Sequence, residues 1–243
     1  MFARATAAAI WGIPLLGGYP AIPTECRSRL TGGFKLATSR VVTTKTDFEV
    51  VEVGGLLVTA PSRTIIDMAL AHPFESALIS ADHALRANLV TQEQLLAEID
   101  AASGRPGRAA ARRVIERASP IPESVGESLS RARFYQLGAP EPILQKSFYD
   151  KEGFAGRPDM YFEQADCIGE FDGEGKYRRA SRPGTDPADV LVDEKLREDR
   201  LRCLVKGFIR WTWKDALKWR PLEEKLRSAG VLYGKPVRLF GLK

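Results

Sequence analysis

A carboxylate sits inside one of the most strand-like runs of this chain. Cys167 to Phe171 is short and apolar and reads as a strand, yet it contains Glu170. Side chains alternate faces along a strand, so Glu170 and Asp172 share one face while Phe171 points the other way, toward a core. A buried carboxylate with no partner costs several kcal/mol, of order 2–7 for a polar group and more for a charge. If buried, Glu170 therefore needs a partner such as a metal ion or a lysine.

The surrounding sequence supplies candidates. Asp159, in Arg157-Pro158-Asp159, precedes Glu170 by eleven residues, and Lys176 follows in Asp172-Gly173-Glu174-Gly175-Lys176. Two acids at the ends of neighbouring strands offer oxygen ligands to a hard divalent cation such as Mg²⁺ or Mn²⁺, and a nearby lysine suits a phosphodiester. Lys176 beside three carboxylates is expected to stay charged and act electrostatically. Taken singly the residues have plainer readings. Asp172-Gly173 is a common turn dipeptide, and Asp159 after a proline can bond its own backbone. Glu127 can be a solvated helix residue. Gln145 approaches the same region from an earlier strand.

Charge is unevenly distributed. The formal net charge is +5, but Arg202 to Lys243 holds eleven basic residues against Asp215, Glu223 and Glu224, next to an acidic stretch from Glu163 to Asp199. An acidic cluster beside a basic track suits a cation site next to a polyanion. Arg210 and Lys214 in the basic tail, with Lys195 and Arg197 just before it, are the candidate nucleic-acid contacts. The run Glu194 to Asp199 also has the spacing of a salt-bridged helix face. Trp211 and Trp213 are expected to alternate on one strand, as packing residues or as base-stacking surfaces.

With 243 residues, 44% of them hydrophobic, the chain can bury a substantial core. No apolar run approaches the roughly 20 residues of a membrane span. The three cysteines, Cys26, Cys167 and Cys203, are widely spaced and fit free thiols in a reducing cytoplasm. Gly/Pro/Arg-rich sequence at residues 101–108 and Ser119-Pro120-Ile121-Pro122 place a domain boundary near Ser119, separating 1–118 from 119–243. The first part predicts strands at 48–53 and 55–59 and helices at 61–71 and 74–87, with a third opened by a capping box at Thr91-Gln92-Glu93-Gln94. It is an α-rich domain with a small sheet. The second part predicts a helix at 123–137 and a hairpin of 143–149 with 154–162. The strand at 167–171, a helix at 187–206, a strand at 208–213 and a helix at 222–228 follow.

That α-β-β-β-α-β order, an α/β (α+β) arrangement, resembles the PD-(D/E)XK restriction-endonuclease-like fold over roughly Ser119 to Gly230. Glu123-Ser124-Val125-Gly126-Glu127-Ser128, Gly138-Ala139-Pro140-Glu141-Pro142, Arg157-Pro158-Asp159, Gly169-Glu170-Phe171-Asp172-Gly173 and Glu194-Lys195-Leu196-Arg197-Glu198-Asp199-Arg200 are similar to the branch of very-short-patch repair endonucleases. The resemblance implies Mg²⁺-dependent cleavage of DNA, with Asp159, Glu170 and Glu127 as metal ligands, Asp172 as a supporting carboxylate and Lys176 or Lys195 near the phosphate. The general pattern has lysine two residues after the glutamate, where this chain has Asp172. Nicking and double-strand cleavage by a homodimer are both open. Ala7 to Pro14 and Val58 to Asp67 resemble the central region of AbiEi-like antitoxins of type IV toxin–antitoxin systems, without the winged helix those usually carry upstream. This implies roles in phage defence, or a non-catalytic DNA-binding regulator that retains the nuclease fold. Arg63 and Asp67 within it are spaced to pair on a helix.

Overall fold

The computed structural model of the protein describes residues 1–28, 34–35, 38–44, 49–173 and 187–233. The chain divides into two compact units between Ser128 and Leu129, inside one helix and a few residues beyond the Pro-rich turn that marks the boundary in the sequence.

In the first unit, α1 (Arg4–Ile10) precedes a small sheet. Its strands are β1 (Thr24–Ser28), β2 (Phe34–Lys35) and β3 (Arg40–Thr44), with β3 in the middle, parallel to β1 and antiparallel to β2. The sequence reading placed no element before residue 48, because these runs lack a clear alternating pattern. β4 (Val50–Val53) and β5 (Leu56–Thr59) form a hairpin through Gly54-Gly55. Both glycines have positive φ, 58° and 79°, as a two-residue turn with the strands' own twist requires. Pro61 opens α2 (Pro61–Ala71), where its missing N–H costs nothing. α3 (Phe74–Arg86), α4 (Gln92–Ala101) and α5 (Arg108–Arg117) follow. The capping box is formed: the Gln94 N–H donates to Thr91 Oγ1 (3.2 Å), and the Thr91 N–H to Gln94 Oε1 (2.9 Å). Ile65, Ile66, Leu78, Ile79, Leu95, Ile99 and Ile115 fill the interior of this unit. Arg63 pairs with Asp67 at 3.2 Å, and Arg105 reaches the same carboxylate at 2.9 Å.

α6 (Val125–Leu137) carries the boundary between the units. In the second unit the expected long hairpin is broken into four short strands, β6 (Ile143–Leu144), β7 (Phe148–Asp150), β8 (Gly153–Gly156) and β9 (Met160–Phe162). Gln145 has φ of 52°, outside the strand region, and Pro158 offers no N–H to a ladder. So β7 and β8 pair as a separate hairpin, while β6 and β9 join β10 (Cys167–Asp172) and β11 (Gly207–Thr212) in a sheet of order β11-β10-β9-β6. β10 runs antiparallel to β9 and parallel to β11. The parallel pair is joined through α7 (Pro187–Arg202), a β-α-β crossover. The strand ending at Thr212 leaves Trp213 as the first residue of α8 (Trp213–Lys218), and α9 (Arg220–Ser228) follows. The two tryptophans therefore do not alternate on one strand.

The sheet has two unlike faces. On one, Phe162 and Trp211 pack edge-on against Phe134 of α6, with centroids 5.3 and 5.5 Å apart, and the Trp211 indole N–H donates to Ser130 Oγ at 2.6 Å. Gly169 lies under the Trp211 ring, and a Cβ built there would meet it at 2.7 Å. On the other face Tyr161 and Ile168 pack with Leu201 of α7 and with Phe208. Gly169→Ala is therefore expected to destabilise the second unit by about 1–3 kcal/mol through overpacking. Denaturant unfolding followed by tryptophan fluorescence measures this, and an unchanged midpoint would contradict the described packing.

Candidate functional site

The polar end of that second face is where the sequence-predicted acids lie. Gly169 opposite Met160 is the last paired position of β10 with β9, and Glu170 and Asp159 are the next residues beyond it on the two chains. The Phe171 N–H donates to Asp159 Oδ2 at 2.8 Å, and the Gln145 N–H to the Asp159 carbonyl at 3.0 Å, so Asp159 is held at the strand ends from both sides. Asp172 follows on the same face as Glu170, while Phe171 turns to the opposite face and packs on Trp213 at 5.2 Å.

Glu170 is 2% exposed. Its charge is met by arginine. Arg197 Nη2 donates to Oε1 at 2.7 Å and Arg210 Nη2 to Oε2 at 2.6 Å. Arg210 comes from β11, whose parallel register sets it beside Glu170. Arg197 comes from α7, which also brings Glu194, held by both the Nε and Nη2 of Arg197 at 2.8 Å, and Glu198. Arg210 further contacts Glu194 at 2.9 Å, Glu198 at 3.3 Å and Asp172 at 4.0 Å. Both guanidinium groups are pushed above their ordinary pKa. For Arg197 the Glu194 hydrogen bond is the chief cause. For Arg210 burial pulls downward and is outweighed by Glu170, Asp172 and Glu198. Arg210 Nε is buried with no hydrogen-bond partner among the described residues.

The sequence assigned Arg197 and Arg210 to nucleic-acid contact; the structure brings both onto Glu170. It also adds Glu194 and Glu198, which the sequence presented as part of a salt-bridged helix face. Positions 194, 197, 198 and 201 form one stripe of α7, and Leu201 at its end is the signal that the stripe faces the sheet. Lys195 lies on the other side, exposed and paired with Asp199 at 3.1 Å, and Lys214 is exposed on α8. Lys176 lies outside the described residues. Glu127 is buried in the first turn of α6. Its carboxylate accepts the Ser124 hydroxyl at 2.7 Å and the Glu123 N–H at 3.0 Å, which stabilises a helix start. Among the described residues no three His, Cys, Asp or Glu side chains group closely enough to hold a metal ion.

Helix α7 is tied down at a second place. Arg200 donates through Nε (2.8 Å) and Nη2 (2.7 Å) to Asp150 at the end of β7. Gly156 gives α7 its close approach: a Cβ there would meet Leu201 at 3.2 Å and Arg197 at 3.4 Å. Cys26, Cys167 and Cys203 are all unpaired, and burial pushes the Cys167 thiol up to about 11. No helix among the described residues is long and apolar enough to cross a membrane. Comparison with known proteins finds no matching family model, no matching curated protein and no matching solved structure.

Two outcomes follow. Glu170→Ala strands two partly buried guanidinium groups and is expected to destabilise the second unit by about 3 kcal/mol, the low end for a broken buried pair. A loss below about 1 kcal/mol in denaturant titration would mean the pair is not held as described. The Arg200 hydrogen bond holds Asp150 at about 2, below its ordinary 3.8. A depressed carboxylate contributes stability that is complete above its unfolded pKa and lost as pH falls through the folded one. The stability difference between wild type and Asp150→Asn should thus be constant above pH 5 and vanish toward pH about 2. A difference independent of pH across that window would refute the pairing.

Proposed function

We propose that the second unit is a divalent-cation-dependent endonuclease acting on DNA. The observation that carries this reading is that Asp159, bonded by the Phe171 N–H, lies at the end of the strand that carries Glu170 and Asp172 on one face, with two arginines beside them. The order α6, antiparallel strands, α7 and a parallel strand is compatible with the restriction-endonuclease-like expectation. The carboxylates Asp159, Glu170 and Asp172 offer only oxygen donors, the chemistry of Mg²⁺ or Mn²⁺, and would have to close in on an ion, since as described they do not group tightly enough to hold one. Around Arg197 and Arg210, carboxylates outnumber guanidinium groups, since Glu170, Asp172, Glu194 and Glu198 all lie within 4.0 Å of one or both. Glu198 is also paired with Arg202 at 2.6 Å.

In this reading Asp159 and Glu170 hold the cation and Asp172 supports it. Bound Mg²⁺ supplies Lewis-acid stabilisation of charge on the phosphate. The chain's own part is electrostatic. Arg210, whose buried Nε has no hydrogen-bond partner among the described residues, contributes positive charge beside the proposed phosphate site. Arg197, bidentate on Glu194, stays anchored when Glu170 turns to another cation. Lys176 remains the lysine nearest in sequence and completes the proposed set, and Lys195 and Lys214 are exposed to track a backbone.

One observation favours a second reading. Both oxygens of Glu170 are already taken by arginine, so a structural ion pair can stand where catalysis once required a free ligand. The protein would then be a DNA-binding, antitoxin-like regulator that retains the fold without cleavage.

Supercoiled plasmid incubated with Mg²⁺ or Mn²⁺ separates the two. The nuclease reading expects nicked or linear product from wild type, lost on chelation and reduced roughly 10²-fold or more in Glu170→Gln. If supercoiled, linear and mismatched DNA all stay intact while DNA binding survives chelation and Asp159→Ala/Glu170→Ala, the regulator reading replaces it.

A further inference from the structure

The first unit holds a cavity of about 530 Å³ lined by Arg4, Arg40, His72, Pro20, Ile22 and Ala71. None of the expectations drawn from the sequence concerns it. Its charged lining is entirely basic. Among the described residues neither Arg4 nor Arg40 has a carboxylate within ion-pair distance. Asp67, the acid whose charge acts on Arg4, is instead bonded by Arg63 and Arg105. The half-buried Arg4 guanidinium and the exposed Arg40 guanidinium thus face one another across the cavity, a pairing of like charges that an anion between them would relieve.

The backbone at Arg4 is also held in an uncommon state. Its φ is 54°, the left-handed region that favours glycine, although an arginine occupies it. The conformation is fixed from both sides. The Phe2 N–H bonds the Leu57 carbonyl at 2.7 Å and the Ala3 N–H the Thr24 carbonyl at 3.1 Å, and the Ala3 carbonyl then accepts from Ala7 at 3.3 Å. The register of β1 with β3 sets Arg40 beside Thr24 on the cavity wall. His72 caps α2 and enters from the third side; burial and Arg4 together lower its pKa, so the imidazole enters neutral and can donate one N–H.

Arginine forks match phosphate oxygens bidentately. The volume is far larger than inorganic phosphate needs and falls within the range of small-ligand pockets. Pro20, Ile22 and Ala71 give it an apolar wall against which a planar ring can lie. We propose that this cavity binds the phosphate of a 5′-nucleotide, free or at the end of a nucleic-acid strand, between Arg4 and Arg40, with its base against the apolar wall.

Isothermal titration of the full chain with inorganic phosphate, adenosine 5′-monophosphate and a short oligonucleotide with or without a 5′-phosphate tests this. Saturable binding of the nucleotide, tighter than inorganic phosphate, is expected. A 5′-phosphorylated strand binding more tightly than the free nucleotide identifies a strand end as the source; the reverse identifies the free nucleotide. Arg40→Gln should weaken binding about tenfold or more. Arg4→Gly should do the same while melting no lower than wild type, since glycine relieves the backbone at that position. Glu170→Gln should bind as wild type does, so failure of the proposed nuclease centre leaves this result standing. No saturable binding up to about 10 mM, or equal binding by a folded Arg4→Gly protein, overturns the proposal.

Discussion

The second unit is organised around a carboxylate that cannot be left alone. Glu170 is nearly inaccessible, sits in the middle strand of a mixed sheet, and has each oxygen bonded by a different arginine. One arginine arrives through the register of β11 and the other through the face of α7, so satisfying this one charge requires the whole β10-α7-β11 crossover to be in place. The supporting contacts are arranged to the same end. Gly156 gives α7 room to approach, Asp150 ties its last turns, and Leu201 seals the apolar part of the same face.

This geometry also explains why the acids collect where they do. In a parallel β-α-β unit the C-terminal strand ends and the start of the connecting helix lie at one edge, where ligands of open α/β sheets bind. Asp159, Glu170 and Asp172 occupy that edge, and Glu194 and Glu198 are added from the helix. A guanidinium held between two carboxylates is strongly fixed in its charged state, as the upward shift of Arg197 expresses. Such a pair also competes for Glu170 with any other cation. The balance between arginine and a hard metal ion at that carboxylate is the physical quantity on which the two proposed readings differ.

Much of the local structure was legible from residue patterns. The capping box at Thr91, the proline at the start of α2 and the opposite facing of Glu170 and Phe171 all depend on neighbours within a few positions, and all are present. The α1 segment and the sheet of β1, β2 and β3 were not legible, because their runs are short and lack a clear alternating pattern. The long hairpin read from 143–149 and 154–162 split because Gln145 adopts a positive φ and Pro158 cannot donate, which the apolar pattern did not weigh. Trp213 left the strand because Thr212 and Asp215 cap a helix there, the Thr212 N–H bonding Asp215 at 2.9 Å.

By itself, then, the sequence determined that Glu170 would lie on a strand, that Asp172 would share its face, and that a positive group had to meet Glu170 if it was buried. Those follow from strand alternation and from the cost of burying a charge, both of which are local or general. Only the tertiary structure decided which positive group arrived. Lys176 is the nearest lysine in the sequence, but Arg197 and Arg210 stand 27 and 40 positions away from Glu170 and reach it through a helix face and a parallel register. Spacing along the chain does not encode that choice, because it is made by which elements pack together.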